Sequence, residues 1–271
     1  MSIGTNIRRI REEKGLTQEN IADAINVSFQ AVSSWERDEY KPDLDNLLKL
    51  ADMFEVSLSS LVEERKNQFK TKEIIYNWEH MKTYVKTTAG NLKMKDTLKA
   101  VDFAVEAHEG QKRKKSEVPY IYHPLNMACH ALSMGIKEDD IIAAILLHDV
   151  IEDCNKTADD LPVSDEAKQI VLLVTHEKTN DSNRESIMDS YYKAIEANPK
   201  ASLVKCIDRC NNLTSMSWGL SRARIYRMIA ETEKYYPALL KTVKSSAEYN
   251  DAAWLLQYQM ESMLDIYKRL L

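Results

Sequence analysis

Apolar residues recur three or four positions apart along most of this chain, and this spacing restricts the fold more than any other feature. Ile3, Ile7 and Ile10 start the pattern, and segments such as DTLKAVDFAVEAH and DEAKQIVLLVTH repeat it in the second half. Such spacing predicts amphipathic helices, because residues three and four apart share one face of a helix. Only six Gly and six Pro occur among 271 residues, too few for the turns of an all-β protein. The sequence therefore predicts an all-α fold.

Charge divides the chain into three parts. Residues 1–64 contain seven Lys/Arg and thirteen Asp/Glu, residues 65–95 contain eight and two, and the remaining residues contain 22 and 27. A basic segment between two acidic ones is typical of a linker between domains. We predict a first domain at residues 1–64, a basic helical linker at residues 65–95 and a second helical domain at residues 96–271.

The linker carries a narrow apolar stripe. Ile74, Trp78, Met81 and Val85 follow one another at spacings of four, three and four residues on an otherwise basic helix. Such a stripe is typical either of a connecting helix packed on one domain or of a short dimer seam. A seam would join two copies of the chain, and we expect a homodimer.

The composition favours a cytoplasmic protein without a membrane partner. The apolar run at residues 141–147 is far shorter than the roughly 20 residues that span a bilayer. The N-terminal stretch MSIGTNIRRIREEKG is polar and has no signal-peptide core. The four cysteines form no CxxC pair, which is typical of a reduced protein.

The first domain combines five short helical segments with tight connections. The segment from Leu16 to Leu61 resembles the Cro/CI (phage-repressor-like, Xre) helix-turn-helix family. The features that match are the Leu-Thr-Gln start, Ala22, Val27-Ser28, Val32, Trp35-Glu36, Pro42 and the Phe54-x-Val56-Ser57 ending.

In that family the third helix lies in the DNA major groove. The resemblance implies that Gln30, Ser33 and Ser34 face base edges, and that Gln18 and Arg37 lie near the DNA backbone. The acidic charge of this domain opposes the phosphate binding on which nucleic-acid affinity depends. Dimerisation or binding of another protein is therefore an alternative role.

The most apolar segment of the chain ends in four ionisable side chains. Residues 141–147 (IIAAILL) are followed at once by His148 and Asp149, and then by Glu152 and Asp153. Buried charge is costly unless it is paired or bound to a metal. On one continuous helix these side chains would lie on one side, because successive residues are about 100° apart. The pattern predicts a metal site that His148 and Asp149 form and that Glu152 and Asp153 flank.

Two further ligand candidates lie elsewhere in the chain. His123, in PYIYHPL, is followed by Pro124, which we expect to start the next helix, and Asp208 lies on an apolar face of VKCIDRCNNL. Two histidines and two carboxylates suit Mn, Fe, Zn or Mg, with positions left open for water. The lack of thiol ligands argues against a structural zinc site.

Five motifs in one order carry a second resemblance. They resemble the hydrolase domain of RelA/SpoT homologues, within the HD phosphohydrolase superfamily, over most of residues 96–240. The motifs are His108 to Lys114 (HEGQKRK), Pro119 to Pro124 (PYIYHP), Ala144 to Asp153 (AILLHDVIED), Lys205 to Asn212 (KCIDRCNN) and Glu231 to Pro237 (ETEKYYP).

This resemblance implies removal of the 3′-pyrophosphate from guanosine tetraphosphate or pentaphosphate (ppGpp or pppGpp), usually with Mn²⁺. It also implies a role for each site residue. His123, His148, Asp149 and Asp208 would hold the metal, Glu152 and Asp153 would orient and deprotonate the attacking water, Asn212 would place water or substrate, and Arg113 and Lys114 would bind phosphate.

The chain departs from the family pattern in three places. The basic run KRKK at residues 112–115 lengthens a loop by one residue and loses its glycine, Asn211 stands where the family has His, and the segment after Thr175 differs. Two alternatives therefore stay open. One is an HD phosphohydrolase that acts on another nucleotide, and the other is a transcriptional regulator that uses the HD domain as a nucleotide sensor.

Overall fold

The computed structural model describes residues 2–62, 77–113, 117–176, 184–216 and 220–270. Within these ranges the regular elements are helices, apart from an isolated bridge between Lys112 and Pro119. The prediction of an all-α fold is confirmed. The chain forms two compact units, which divide between residues 75 and 76. Each unit has its own hydrophobic core.

The first unit is built from short helices whose starts are capped by side chains. The oxygens of Ser2, Thr17, Ser28 and Asp43 each accept a hydrogen bond from a backbone N–H of the first helical turn. Asn20 completes a capping box with Thr17, a position where Glu or Gln is usual. The helices are α1 (Ile3–Glu13), α2 (Gln18–Ile25), α3 (Phe29–Glu36), α4 (Leu44–Met53) and α5 (Leu58–Val62).

The core of the first unit joins these helices through fully buried side chains, among them Ile7, Ile21, Val32 and Leu50. Between α2 and α3 the backbone turns at Asn26, which adopts a left-handed conformation with φ 57°. A left-handed residue after a helix ends it and reverses the chain, and Asn tolerates this conformation. The α2–turn–α3 segment is therefore a helix-turn-helix.

The second unit surrounds one wholly buried helix. Every residue from Ile141 to Leu147 has no accessible surface, and this helix packs against α7, α8 and α11. The helices are α6 (Trp78–Leu92), α7 (Lys95–Ala107), α8 (Tyr122–Ser133), α9 (Asp139–Leu147), α10 (Val150–Asp153), α11 (Asp165–Val174), α12 (Arg184–Glu196), α13 (Pro199–Ser215), α14 (Arg222–Ser245) and α15 (Asn250–Leu270). In the ranges that the structure describes, no helix combines the length and apolarity needed to cross a membrane.

The linker stripe packs inside the second unit. Val85 is fully buried, and Trp78 and Met81 are partly buried against the same core. Helix α6 contacts α7 and α8, which favours the alternative of a connecting helix packed on one domain. Ile74 lies outside the described residues, as does most of the first half of the predicted linker.

Two local predictions about the metal site are corrected by the structure. The chain does not continue as one helix through His148, because α9 ends at Leu147 and α10 starts at Val150. Asp149 between them, with φ −102° and ψ −2°, is the N-cap residue of α10. Helix α8 starts at Tyr122, before Pro124, which fits in the first turn because the N–H groups there need no helical partner.

Candidate metal centre and cationic cavity

Four side chains from three parts of the second unit meet at one point. His123 lies in the first turn of α8, His148 and Asp149 lie in the break between α9 and α10, and Asp208 lies on α13. Nε2 of His123 is 3.3 Å from Asp208 Oδ1 and 3.7 Å from Asp149 Oδ2. Nε2 of His148 is 2.9 Å from Asp149 Oδ2 and 3.9 Å from Asp208 Oδ1. One ligand atom each from His123, His148 and Asp149 lie within 4.8 Å of one another.

Hydrogen-bond partners of the Nδ1 atoms orient the two imidazole rings. His123 Nδ1 lies 2.6 Å from Asn211 Oδ1, and His148 Nδ1 lies 2.8 Å from the carbonyl oxygen of Ile145. Because both partners are acceptors, each Nδ1 carries the proton and each Nε2 presents its lone pair to the centre. Nε2 of His148 is buried and has no hydrogen-bond partner among the described residues. When Nε2 is deprotonated, its lone pair and the two neighbouring carboxylates form the donor set that a divalent cation needs.

The two carboxylates of the centre are held ionised. Burial alone would raise the pKa of Asp149, but His148 and His123 outweigh it and hold that pKa well below its usual range. In turn, burial would lower the pKa of His148, but Asp149 and Asp208 raise it to about 9. The centre therefore attracts positive charge strongly, whether a proton or a metal ion.

Neighbouring side chains fix both carboxylates. Tyr120 donates its hydroxyl hydrogen to Asp149 Oδ2. Asn212 Nδ2 donates to Asp208 Oδ1 at 2.5 Å, and Lys205 Nζ lies 3.2 Å from Asp208 Oδ2. Such partners orient metal ligands and typically affect affinity or activity about 10- to 100-fold. The structure thus places Asn212 next to Asp208.

Glu152 and Asp153 lie in different environments on α10. Glu152 is half-buried, and its Oε1 accepts the backbone N–H of His176 at 2.5 Å. Burial raises the pKa of the Glu152 carboxyl, the direction that makes a carboxylate a better proton acceptor. Asp153 is exposed, and its carbonyl oxygen accepts a hydrogen bond from Gln111.

The loop before α8 reaches the same region. Arg113 Nη2 donates to Ser215 Oγ at 2.9 Å, which attaches the loop to the end of α13. Lys114 lies outside the described residues.

A cavity of about 370 Å³ opens beside Asp208 and Asn212. Helices α12, α13 and α14 line it with five cationic side chains, which are Arg184, Lys205, Arg209, Arg224 and Arg227. Arg224 and Arg227 form no ion pair in the part of the chain that the structure describes. Sequence reasoning missed this cluster, because its members come from three helices and only Lys205 and Arg209 belong to a recognised motif.

A buried ion pair supports the wall of this cavity. Arg209 Nη2 donates to Glu231 Oε1, which also accepts the hydroxyl hydrogen of Tyr192 at 2.8 Å. Burial alone would raise the pKa of Glu231, but Arg209 and Tyr192 outweigh it and hold that pKa below its usual range. The stability from this pair is present above the unfolded-state pKa and is lost as the pH falls through the folded-state pKa.

Glu231→Gln is expected to destabilise the second unit by about 3 kcal/mol at neutral pH, because Arg209 is left buried without its counter-charge. The difference from wild type shrinks in acid, where the wild-type carboxylate is itself protonated. Urea unfolding followed by circular dichroism at neutral and acidic pH measures both effects. The control is Glu233→Gln, whose surface pair with Lys268 contributes less than about 1 kcal/mol. A loss no larger than that of the control would contradict the prediction.

The residues predicted to contact DNA differ in their exposure and in the hydrogen bonds that they already form. Gln30 is exposed on α3, and Ser34 Oγ donates to the Gln30 carbonyl oxygen. Arg37 donates to Ser33 Oγ and to both carboxylate oxygens of Glu39. Gln18 donates to Glu36 at 2.7 Å.

Each of the two units contains a match to a known protein family. Residues 7–61 match the helix-turn-helix family model, and residues 100–239 match the model of the HD domain, more than half of the chain. The chain belongs to the HD-domain family. The HD match includes all four side chains that meet at the candidate metal centre.

Several curated relatives share this HD domain. The guanosine-3′,5′-bis(diphosphate) 3′-pyrophosphohydrolase MESH1 of Xenopus tropicalis is 35% identical over 140 residues, which cover 48% of this chain and 77% of the relative. The guanosine-3′,5′-bis(diphosphate) 3′-pyrophosphohydrolase of Aquifex aeolicus is 34% identical over 146 residues, 52% of this chain and 20% of the relative. The bifunctional (p)ppGpp synthase/hydrolase SpoT of Escherichia coli is 30% identical over 173 residues, 61% of this chain and 24% of the relative.

Proposed function

We propose that the second unit is a metal-dependent hydrolase that removes the 3′-pyrophosphate of ppGpp or pppGpp. The observation that carries the proposal is that the His–Asp cluster adjoins a cavity lined by five cationic side chains, with Asp208 common to both. Cationic groups beside a metal site suit a substrate that carries several phosphates. The relatives that share the HD domain are named for this activity.

His123, His148, Asp149 and Asp208 would hold the metal, for which we propose Mn²⁺. When bound, the metal lowers the pKa of a water molecule and offsets phosphate charge. Glu152, whose pKa burial raises, would accept a proton from the attacking water.

Three further positions complete the proposed site. Asp153 would help to orient the water, and Asn212, which holds Asp208, would place the water or the substrate. Arg113 and Lys114 would bind phosphate from the loop before α8.

The proposal is tested by pyrophosphate release from ppGpp with the full chain, with and without Mn²⁺. We expect release that stops on chelation and returns when Mn²⁺ is added. Competition with GTP, GDP and the adenosine analogue of ppGpp separates the substrate alternatives. Faster turnover of another nucleotide would identify that nucleotide as the substrate. Binding of ppGpp without turnover of any nucleotide would instead identify a sensor.

Arg227→Gln is expected to raise KM for ppGpp by about 10- to 100-fold, because one charge-assisted hydrogen bond to phosphate contributes roughly 1.5–3 kcal/mol. The matched control is Arg222→Gln, an exposed arginine of α14 that does not line the cavity. Steady-state kinetics of both variants measure the effect. Equal KM values for the two variants would exclude this cavity as the phosphate site.

For the first unit we propose DNA binding through α3. Three observations support this proposal: the match to the helix-turn-helix model, the exposure of Gln30, and the pairing of the buried Glu36 with Arg11 Nε at 2.6 Å. The pairing matters because it neutralises one of the acidic charges near the proposed DNA surface. Two half-sites require two copies, so a homodimer in the cytoplasm belongs to this proposal.

Selection of duplexes by the full chain, followed by anisotropy titrations at two salt concentrations, tests DNA binding. Sedimentation tests the oligomeric state. We expect one enriched palindrome, affinity that falls with salt, and weaker binding by Gln30→Ala. A protein that enriches no sequence would favour a role of the first unit in binding another protein.

A further inference from the structure

A second cavity, of about 550 Å³, lies between α8, α13 and α15 on a different face of α13 from the cationic cavity. Nothing in the proposed reaction uses it. The side chains that line it are Asn126, Cys129, His130, Ser133, Cys210, Asn211, Thr214, Tyr258, Gln259, Ser262 and Met263. We refer to the cavity that these residues line as the neutral cavity.

The lining of the neutral cavity carries no formal charge. It includes no Lys, Arg, Asp or Glu among the described residues. Burial lowers the pKa of His130 and raises the pKa of Cys129 to about 11, so both stay uncharged at neutral pH. A charged ligand would lose hydration there without gaining a counter-ion. The cavity therefore favours an uncharged ligand, in contrast to the cationic cavity.

One polar atom of this lining lacks a partner. Gln259 Oε1 is buried and has no hydrogen-bond partner in the ranges that the structure describes. An unpaired buried acceptor costs roughly 1–3 kcal/mol, and buried polar atoms are usually satisfied. A ligand with an N–H donor would satisfy it.

One of the lining side chains, Tyr258, is an exposed aromatic ring. Tyr258 lies parallel to Trp254, with ring centroids 5.9 Å apart and an interplanar angle of 4°. Both side chains are about 61% exposed. Flat exposed aromatic rings are suited to stacking on a planar ligand, and sites for small molecules combine such surfaces with a few polar groups.

One residue that lines the neutral cavity also contacts a histidine of the metal centre. Asn211 lines it, and the Oδ1 atom of the same residue accepts the hydrogen bond from His123 Nδ1. A ligand that bonds to the Asn211 amide would change the orientation of that amide and hence of the imidazole. Asn211 is in this respect a positioning residue.

We propose that the neutral cavity binds an uncharged planar heterocycle with an N–H donor, of the nucleobase class, and that its occupancy changes the metal affinity of the centre through Asn211. The part concerning the metal rests on the proposed function, whereas the binding site does not. The acceptor Gln259, the exposed ring of Tyr258 and the absence of lining charge each restrict the ligand independently.

The binding test is a calorimetric titration of the full chain with adenine, uracil and AMP, without metal or substrate. We expect at least one neutral base to bind with Kd of about 1 mM or below. AMP, which carries a base and a phosphate, should bind this site at least about tenfold more weakly than adenine. Gln259→Leu should weaken base binding about tenfold, whereas Gln257→Leu, whose side chain bonds to Glu261 outside the cavity, should not.

Three results would overturn the site: no saturable binding of a neutral base, equal affinity in the Gln259→Leu variant, or AMP binding at this site as tightly as adenine. Only binding that Gln259→Leu weakens counts as binding here, because AMP can also enter the cationic cavity. The coupling is measured separately, as a shift of about threefold or more in Mn²⁺ affinity when the base is present. An unchanged Mn²⁺ affinity in the presence of a bound base would overturn the coupling. A chain that releases no pyrophosphate leaves the base titration interpretable, so failure of the proposed reaction is distinguishable from failure of the site.

Discussion

Asp149→Ala is expected to lower pyrophosphate release from ppGpp by about 1,000-fold or more and to abolish Mn²⁺ binding at the centre. The carboxylate lies 2.9 Å from His148 Nε2 and 3.7 Å from His123 Nε2, so its loss removes one ligand and the negative charge that attracts the ion. A bound metal contributes several kcal/mol of transition-state stabilisation, and about 4 kcal/mol corresponds to roughly three orders of magnitude in rate.

Steady-state rates and Mn²⁺ titration calorimetry measure the two effects. Asp149→Asn keeps the shape of the side chain and removes the charge, so it separates lost ligation from lost packing. The matched control is Asp102→Ala, which removes an exposed carboxylate of α7 that pairs with Lys86 and should leave both measurements unchanged. Activity within tenfold of wild type, with unchanged Mn²⁺ affinity, would show that Asp149 is not a ligand.

Gly4→Ala is expected to destabilise the first unit by about 3 kcal/mol or more, because added volume in a closely packed contact forces a backbone shift. A Cβ atom at Gly4 would stand 2.0 Å from the carbonyl oxygen of Trp35, so α1 and α3 would have to separate. The Gly4 N–H also donates to Asp38 Oδ1 at 3.0 Å, and this bond would be strained by the same shift. A loss of this size is comparable to the whole stability of a 60-residue unit, roughly 3–9 kcal/mol.

The measurement is hydrogen exchange of peptides from α1 and α3, with peptides from α9 as an internal reference. Gly90→Ala is the control, since a Cβ at this exposed helical position meets nothing within 4 Å and should stabilise α6 by about 0.5–1 kcal/mol. We expect pyrophosphate release to stay within about twofold of wild type in Gly4→Ala, because the metal centre belongs wholly to the second unit. Unchanged exchange in α1 would contradict the prediction.

The helices of this protein and the side chains of its candidate centre can be predicted from local sequence. The three- and four-residue spacing of apolar side chains predicts the helices, because helical periodicity is a property of consecutive residues. The four side chains of the candidate centre also stand out in the sequence, since charge on an apolar segment needs compensation. The structure brings all four together. Their roles as ligands stay predictions until metal binding is measured.

Only the tertiary structure decides how these parts are arranged. The break at His148 and Asp149, the cationic cavity and the neutral cavity all depend on how α8, α13, α14 and α15 pack against one another. Arg184 and Arg227 are 43 positions apart in the chain and yet line one cavity, and no spacing rule connects such distant residues. Sequence by itself therefore determines the helices and the chemical character of the centre. Packing decides which side chains share a cavity, because those contacts join residues that no local pattern relates.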